Sequence, residues 1–381
     1  MGWNIPKLLE PKQQPIKYTS YLLFISIIPL IFMGFALTVL FYNGTNQAIF
    51  WFFSVILPLI IWLLMLAIKI NSSYFNDIYN EELAKVNEES TQHWQAWSKV
   101  QIPIFASHVI CAEPNGVQTL IGDPKQIPLY PAKARPLFNS TASNKPFWFL
   151  NEVMQNLEQQ CPNYRKYLSH IYLPQSLMDD EDLTEAIFTH WRLRVEPIMD
   201  YNVWIAELYQ HTDDIELSLI LTCQYNDTSY HHHSKFISAL LIGSTTLIDN
   251  QKLQAKAWLG RLMVAEQDLS ADLTQLVTYT QLPVTDIKDI WVSGLDRKNR
   301  TALAITINTW GIDNNDNDDD QYNQQLIHNI DLTFAKPTEL TKYFALALAS
   351  NCIDSHFDEQ LCVVQFDHKT ILQLITRQKL V

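Results

Sequence analysis

Three consecutive histidines, His231, His232 and His233, are the residues of this 381-residue chain whose type most invites metal chemistry, because neutral imidazole is the commonest metal ligand. On a strand, successive side chains point to opposite faces, so three in a row cannot converge on one ion. No paired Cys, Asp or Glu stands at ligand spacing beside them, and they read as a solvated loop before a strand that begins at Lys235. Asp316, Asp318 and Asp320 fall at alternate positions of the run Asp313 to Asp320 (DNNDNDDD), as the ligands of an EF-hand loop do. The glycine such a loop needs next is Gln321 and its closing glutamate is Ile327, so the run reads as an exposed charged loop. The five cysteines, Cys111, Cys161, Cys223, Cys352 and Cys362, are scattered with no CxxC pair. That pattern argues against a disulfide framework or a zinc ribbon and for free thiols in a reducing compartment. Cys111 ends an apolar stretch and is followed by Ala112-Glu113, without the cationic or helix-start setting that activates a thiol. Cys223 and Cys362 lie within apolar stretches and read as buried and inert in the same way. No GxSxG, P-loop, GxGxxG or HExxH occurs. The sequence therefore assigns no catalytic residue, no cofactor-binding residue and no metal ligand, and it implies no cofactor.

The aromatic residues carry a different signal. Eleven tryptophans are present, with clusters at Trp94 and Trp97 and at Phe147, Trp148 and Phe149. Most belong to a core. An exposed remainder is how a partner-binding patch looks, since Trp and Tyr anchor protein interfaces.

The elements that position these residues begin with a membrane anchor. From Tyr18 to Ile68 there is no Asp, Glu, Lys or Arg, and two apolar runs, Tyr18 to Tyr42 and Ala48 to Ile68, flank the polar turn Asn43 to Gln47. Each run exceeds the ~20 residues that cross a hydrocarbon core as a helix. Pro29 and Pro58 fall inside them, as membrane helices tolerate. A cleaved signal peptide would have a shorter core and no second span behind it. Lys7, Lys12 and Lys17 precede the first run and Lys69 follows the second, while the turn carries no charge. The positive-inside rule then expects a cytoplasmic tail at 1–17, a transmembrane hairpin at 18–70, and both chain ends in the cytoplasm of a bacterium, at its inner membrane. Those four lysines against Glu10 leave +3, so within a net charge of −13 the residues from Asn71 onward carry −16. A body that acidic repels nucleic-acid phosphates and an anionic leaflet alike.

A helix without Gly or Pro is expected over residues 71–100, joining the hairpin to a cytoplasmic α/β domain at 101–381. Gln101 to Cys111 reads as a strand, Glu113 to Pro146 as proline-rich loops, and Phe147 to Gln159 and Asp182 to Arg194 as helices. Strands follow at Ile215 to Gln224, Lys235 to Gly243 and Ile287 to Ser293, with a helix at Asp268 to Thr280. Thr301 to Trp310 continues the strand-like alternation, a helix covers Pro337 to Cys352, and Gln360 to Phe366 and Thr370 to Thr376 close the chain as a hairpin. Strands and helices mixed in this way imply a layered α/β domain with a mixed sheet. No repeat occurs at solenoid periods.

Three stretches resemble the C-terminal half of the thiolase-like fold of β-ketoacyl synthases. Ile215 to Gly243 resembles that family's strand pair, Asp286 to Gly294 its helix-to-strand step, and Asn329 to Asn351 its turn and buried helix. The closing strand pair fits too, so the resemblance runs from Trp191 to the end. A condensing enzyme needs a cysteine nucleophile at a helix N-terminus with histidines, or a histidine and an asparagine, to manage the oxyanion. Where a histidine-glycine-threonine motif is expected, the chain reads Thr309-Trp310-Gly311-Ile312-Asp313, and the expected glycine-rich stretch reads Ala335-Lys336-Pro337-Thr338. The resemblance implies a catalytic fold reused for binding. In size and anchoring the chain also resembles the adaptor proteins of bacterial type VI secretion, such as the type VI lipase adapters. The expected function is thus a non-enzymatic, inner-membrane adaptor for a protein partner, a secreted effector or secretion component. The alternatives are an acyl-transfer enzyme, with Cys111 or Cys223 as its first candidates, and a membrane immunity protein against a toxin.

Overall fold

A computed structural model of the chain describes residues 3–11, 25–113, 116–120, 127–130, 133–137, 145–225, 233–250, 253–265, 268–312, 325–334, 337–356 and 358–380. His231, His232 and the run Asp313 to Gln321 lie outside these residues. The chain divides into two compact units, Ile5–His93 and a body made of Met1–Asn4 with Trp94–Val381.

In the smaller unit, α1 (Ile27–Phe41) and α2 (Gln47–Ser98, whose last residues count with the body) flank a short turn. The Asn46 side chain opens α2 by accepting from the Ala48 N–H at 3.0 Å. Among the described residues α2 is the one helix long and apolar enough to cross a membrane, by length and composition, while α1 is a shorter apolar helix. The first apolar run is described only from Ile25 onward. Pro58 has no N–H to give to the carbonyl four residues back, and the turn just before it, Phe52–Ile56, widens to a π-helix. Gly34 lets α1 approach this point closely, for a Cβ there would stand 2.3 Å from the Pro58 ring. Gly34→Val is therefore expected to push the helices apart. Spin labels at Leu37 and Ile61 read this as an increased separation in the full-length protein, and an unchanged separation would contradict the packing.

The body is a single mixed sheet with the order β3-β2-β4-β5-β1-β6-β11-β10-β8-β9 and β7 beside β11. Its strands are β1 (Ile102–Ile110), β2 (Leu168–Pro174), β3 (Val195–Ile198), β4 (Leu217–Gln224), β5 (Phe236–Ile242), β6 (Ala257–Leu259), β7 (Met263–Ala265), β8 (Ile287–Ser293), β9 (Leu326–Asn329), β10 (Glu359–Phe366) and β11 (Lys369–Thr376). The connectivity is duplicated. β2 lies parallel to β3 and β4, and β4 antiparallel to β5; β8 lies parallel to β9 and β10, and β10 antiparallel to β11. β1 and β6 join the halves. Both β4 and β5 are buried at every residue, the continuous apolar pattern of strands covered on two faces.

Helices α3 (Lys145–Gln160), α4 (Glu181–Trp191), α5 (Tyr201–Leu208), α6 (Leu269–Thr280), α7 (Arg297–Ile312), α8 (Ile330–Phe334) and α9 (Thr341–His356) complete the layers. α4 and α6 start on the carboxylates of Asp180 and Asp268, which accept backbone N–H bonds from Leu183 and Ser270 at 3.0 Å. α9 packs against β1, β5, β8, β10 and β11, and Phe344 to Ser350 is buried without interruption. Its alanines, Ala345, Ala347 and Ala349, are fully buried and let the strands come close.

Two sequence expectations shift. Thr301 to Trp310 is not strand-like but part of α7: its β-branched residues imitate a strand, whereas its buried residues Leu303, Ile307 and Trp310 follow helical spacing. The helix expected from Pro337 starts at Thr341, because the Thr338 N–H is held by the Thr341 hydroxyl in a turn before it. The closing hairpin stands as expected, with Asp367 and His368 both at positive φ in its two-residue turn.

Candidate functional site

In an open α/β sheet, ligands bind outside the carboxyl ends of the strands. Here the ends of β2, β3 and β10 and the first turns of α5 and α9 enclose a cleft of about 320 Å³. Lys342, on the first turn of α9, lies 5.2 Å from the ring centre of Tyr201 and 5.3 Å from that of Tyr343. These two rings meet edge to face at 5.2 Å, and the Tyr201 hydroxyl donates to Gln373 Oε1 at 2.8 Å. Burial lowers the Lys342 pKa, with Asp200 and Glu339 opposing that shift, and burial raises the pKa of both tyrosines. Asp200 caps α5 by accepting from the Asn202 N–H at 2.8 Å. The cleft mouth carries two exposed apolar side chains, Met199 and Phe366, at 76% and 43% exposure.

None of the five cysteines lines this cleft. All are buried. Burial pushes the Cys111 and Cys161 thiols up to about 11 and raises those of Cys223, Cys352 and Cys362 as well, the opposite of activation. Cys352 sits on α9 well past its N-terminal turn, and Cys223 and Cys362 sit within β4 and β10. The region expected to hold a histidine motif, Thr309 to Ile312, is the end of α7. His233, described just before β5, is partly buried, and among the described residues no group of His, Cys, Asp and Glu is placed to hold a metal.

A second polar cluster escaped the sequence reading. Strand register brings it together: Gln360 lies beside Asp289 across β10 and β8, and His328 beside Trp291 across β9 and β8. Asp289 is fully buried and accepts from Gln360 Nε2 at 3.0 Å, while its other oxygen is 2.7 Å from His328 Nε2. The His328 ring stacks on Trp291 with centroids 4.5 Å apart. Asp289 and His328 are too far apart in sequence for any spacing rule to pair them.

The tryptophan pair also acquires a role. Trp97 packs edge to face on Trp94 and on Trp3, with centroids 5.3 and 5.4 Å apart, and Arg261 stacks over Trp97 at 4.3 Å. The Trp3 indole donates to the Leu262 carbonyl at 3.0 Å. Of the second aromatic cluster, Phe149 is core while Phe147 is exposed.

One titration follows from the strand starts. Glu359, at the beginning of β10, is pushed up from 4.5 to about 7 by burial, with Asp286 and Asp358 adding to the shift and the Arg377 N–H opposing it. The folded body therefore keeps a proton that the unfolded chain releases between about pH 4.5 and 7, so this group's stabilising contribution falls as pH rises through that window. Glu359→Gln, which can still accept from the Arg377 N–H, should raise Tm by about 2–4 °C at pH 8 and leave it unchanged at pH 4. Thermal scans at the two pH values check this, and an equal effect at both would contradict it.

No family profile matches the sequence, and no curated protein does. Among solved structures, a chain from the complex of a type II PKS acyl-carrier protein with its hexaketide-bound ketosynthase aligns at 7% identity. The alignment covers 73% of this chain and 99% of that one, with a TM-score of 0.51. The Streptomyces albus oxazolomycin ketosynthase domain aligns over 74% of this chain and 96% of its own, at 8% identity and a TM-score of 0.49. Human mitochondrial 3-ketoacyl-CoA thiolase aligns over 73% and 98%, at 7% identity and a TM-score of 0.46. The fold assignment rests on the first of these, and its coverage is wider than the stretch from Trp191 onward. The body is a layered α/β domain with a mixed sheet and a thiolase-like fold, and identity this low speaks of fold alone.

Proposed function

We propose that the protein is a membrane-tethered binding protein that uses a thiolase-like body without thioester chemistry and holds a protein partner at the strand-end cleft. The observation that carries this reading is the cleft itself. It is lined by Lys342, two tyrosines and several carboxylates, has no cysteine in its wall, and has Met199 and Phe366 exposed at its mouth. Exposed apolar side chains around a polar pocket are the anchor-and-rim arrangement of a protein interface. The occupant is a partner side chain or chain end whose carboxylate meets Lys342.

Trp3 bears on the topology of the tether. It precedes the apolar runs, yet is buried in the same body as Trp97, which follows them. A chain whose two flanks meet on one side of a bilayer must cross it an even number of times, in keeping with a hairpin at 18–70 and cytoplasmic ends at a bacterial inner membrane. Anchoring raises the effective concentration of whatever partner the body holds at that surface. A type VI secretion effector or component is the specific partner to test first.

Acyl transfer is the second reading, favoured by the fold, with the half-buried Lys342 amine, which lines the cleft, as the nucleophile in place of a cysteine. The two separate in one experiment on the tagged full-length protein in native membranes. A partner that copurifies with the wild type and is lost with Met199→Asp/Phe366→Asp supports binding. Equal recovery with the variant, or an acyl adduct on Lys342 or a cysteine after incubation with acyl-CoA, overturns it.

A further inference from the structure

The buried cluster around His328 borders a second cavity, of about 170 Å³, apart from the strand-end cleft. Its wall is largely apolar, made by Trp291, Ile330, Phe334 and Leu348 with Leu129 and Leu332 toward the surface. The hydrogen-bond donors fix the roles of the polar groups. An indole N–H can only donate, so Trp291 turns Gln360 Oε1 toward itself at 2.9 Å and the Gln360 amide NH₂ toward Asp289. Gln360 also donates to the Asp358 carbonyl at 3.1 Å, and the Cys352 thiol stands 3.8 Å from the same Asp289 oxygen. Asp289 is thus an acceptor, and His328 gives it the Nε2–H.

That leaves Nδ1 of His328, a residue only 3% exposed, with no hydrogen-bond partner in the protein. Buried polar atoms are nearly always paired, so an orphan on a residue that lines a cavity points to a missing partner. We infer that this cavity binds a small, mainly apolar molecule bearing one hydroxyl group, a phenol or short-chain alcohol, which hydrogen-bonds to His328 Nδ1. The size follows from the volume, close to that of a ~150 Å³ apolar cavity that accepts benzene. The head group follows from the ring: with Nε2 turned to Asp289, Nδ1 is left as the ring's free position, and a hydroxyl is a small group whose O–H can meet it. A charged head would be costly against so apolar a wall.

The test uses full-length protein in lipid nanodiscs with ¹⁵N-labelled histidine, titrated with phenol and with toluene, which has the same shape but no hydroxyl. The expected result is a saturable shift of the His328 Nδ1 resonance, with phenol bound about tenfold or more tightly than toluene. His328→Phe assigns the resonance and removes the preference. Where that variant does not fold, Leu332→Trp, at the exposed mouth, blocks the shift instead. An Nδ1 resonance unmoved by phenol, or equal binding of toluene, overturns the inference, and neither outcome touches the strand-end cleft.

Discussion

Gly294→Ala should destabilise the body by about 3–5 kcal/mol, a large share of the stability of an ordinary domain. Gly294 directly follows β8 at φ +71°, in the left-handed region that L side chains adopt only with strain. The close approach matters more: an added Cβ would stand 2.0 Å from the Gln365 carbonyl oxygen, on β10 alongside. Backbone cannot rotate away as a flexible side chain would, so β8 and β10 must part. The Gly294 N–H also donates to Asp331 Oδ2 at 2.7 Å, beside the Ser293 hydroxyl on Oδ1 at 2.6 Å, which ties the strand end to α8. Movement of Gly294 loosens both bonds around a carboxyl whose pKa burial already raises. Urea unfolding of the full-length protein measures the loss, and a change below about 1 kcal/mol would contradict the strand-end geometry.

Asp289→Leu should cost a similar amount, about 3–5 kcal/mol, because it removes the common acceptor of His328 and Gln360 in a fully buried site. The informative partner is the double variant Asp289→Leu/His328→Leu. Removing one member of a buried pair strands the other, whereas replacing both with apolar residues of similar volume is often nearly neutral. The double variant should therefore recover more than half of the loss. A double-mutant cycle by urea unfolding reads this directly, and additive losses would show that the two side chains act independently.

Much of the body was legible in the sequence because its central strands are unbroken apolar runs. Ile215 to Gln224, Lys235 to Gly243 and Ile287 to Ser293 announce β4, β5 and β8, and Asp268 announces the start of α6 by its capping chemistry. The edges were not legible. β3 is four residues with Pro197 inside it, β9 is four residues, and β6 and β7 have three each, too short for any period to register. β2 was missed because three of its residues are only half-buried, among them His170 and Tyr172, so its apolar run is broken. The duplicated connectivity was equally hidden, since it lives in strand pairing and not in repeated residues. For the same reason the sequence could say that cysteines in apolar stretches are buried, yet not that Asp289 meets His328. Nor could it say that Trp3 docks beside Trp97, with the whole apolar segment between them.

On the proposed reading a protein partner sits at the mouth of the strand-end cleft. A photo-crosslinking residue at position 199 of the full-length protein, activated in native membranes, tests it most directly, with the exposed Ile305 of α7 as the control position. A discrete protein adduct is expected from position 199, absent from position 305 and lost when Phe366→Asp is added. Adducts of the same pattern from both positions, or one at 199 that survives Phe366→Asp, would contradict it.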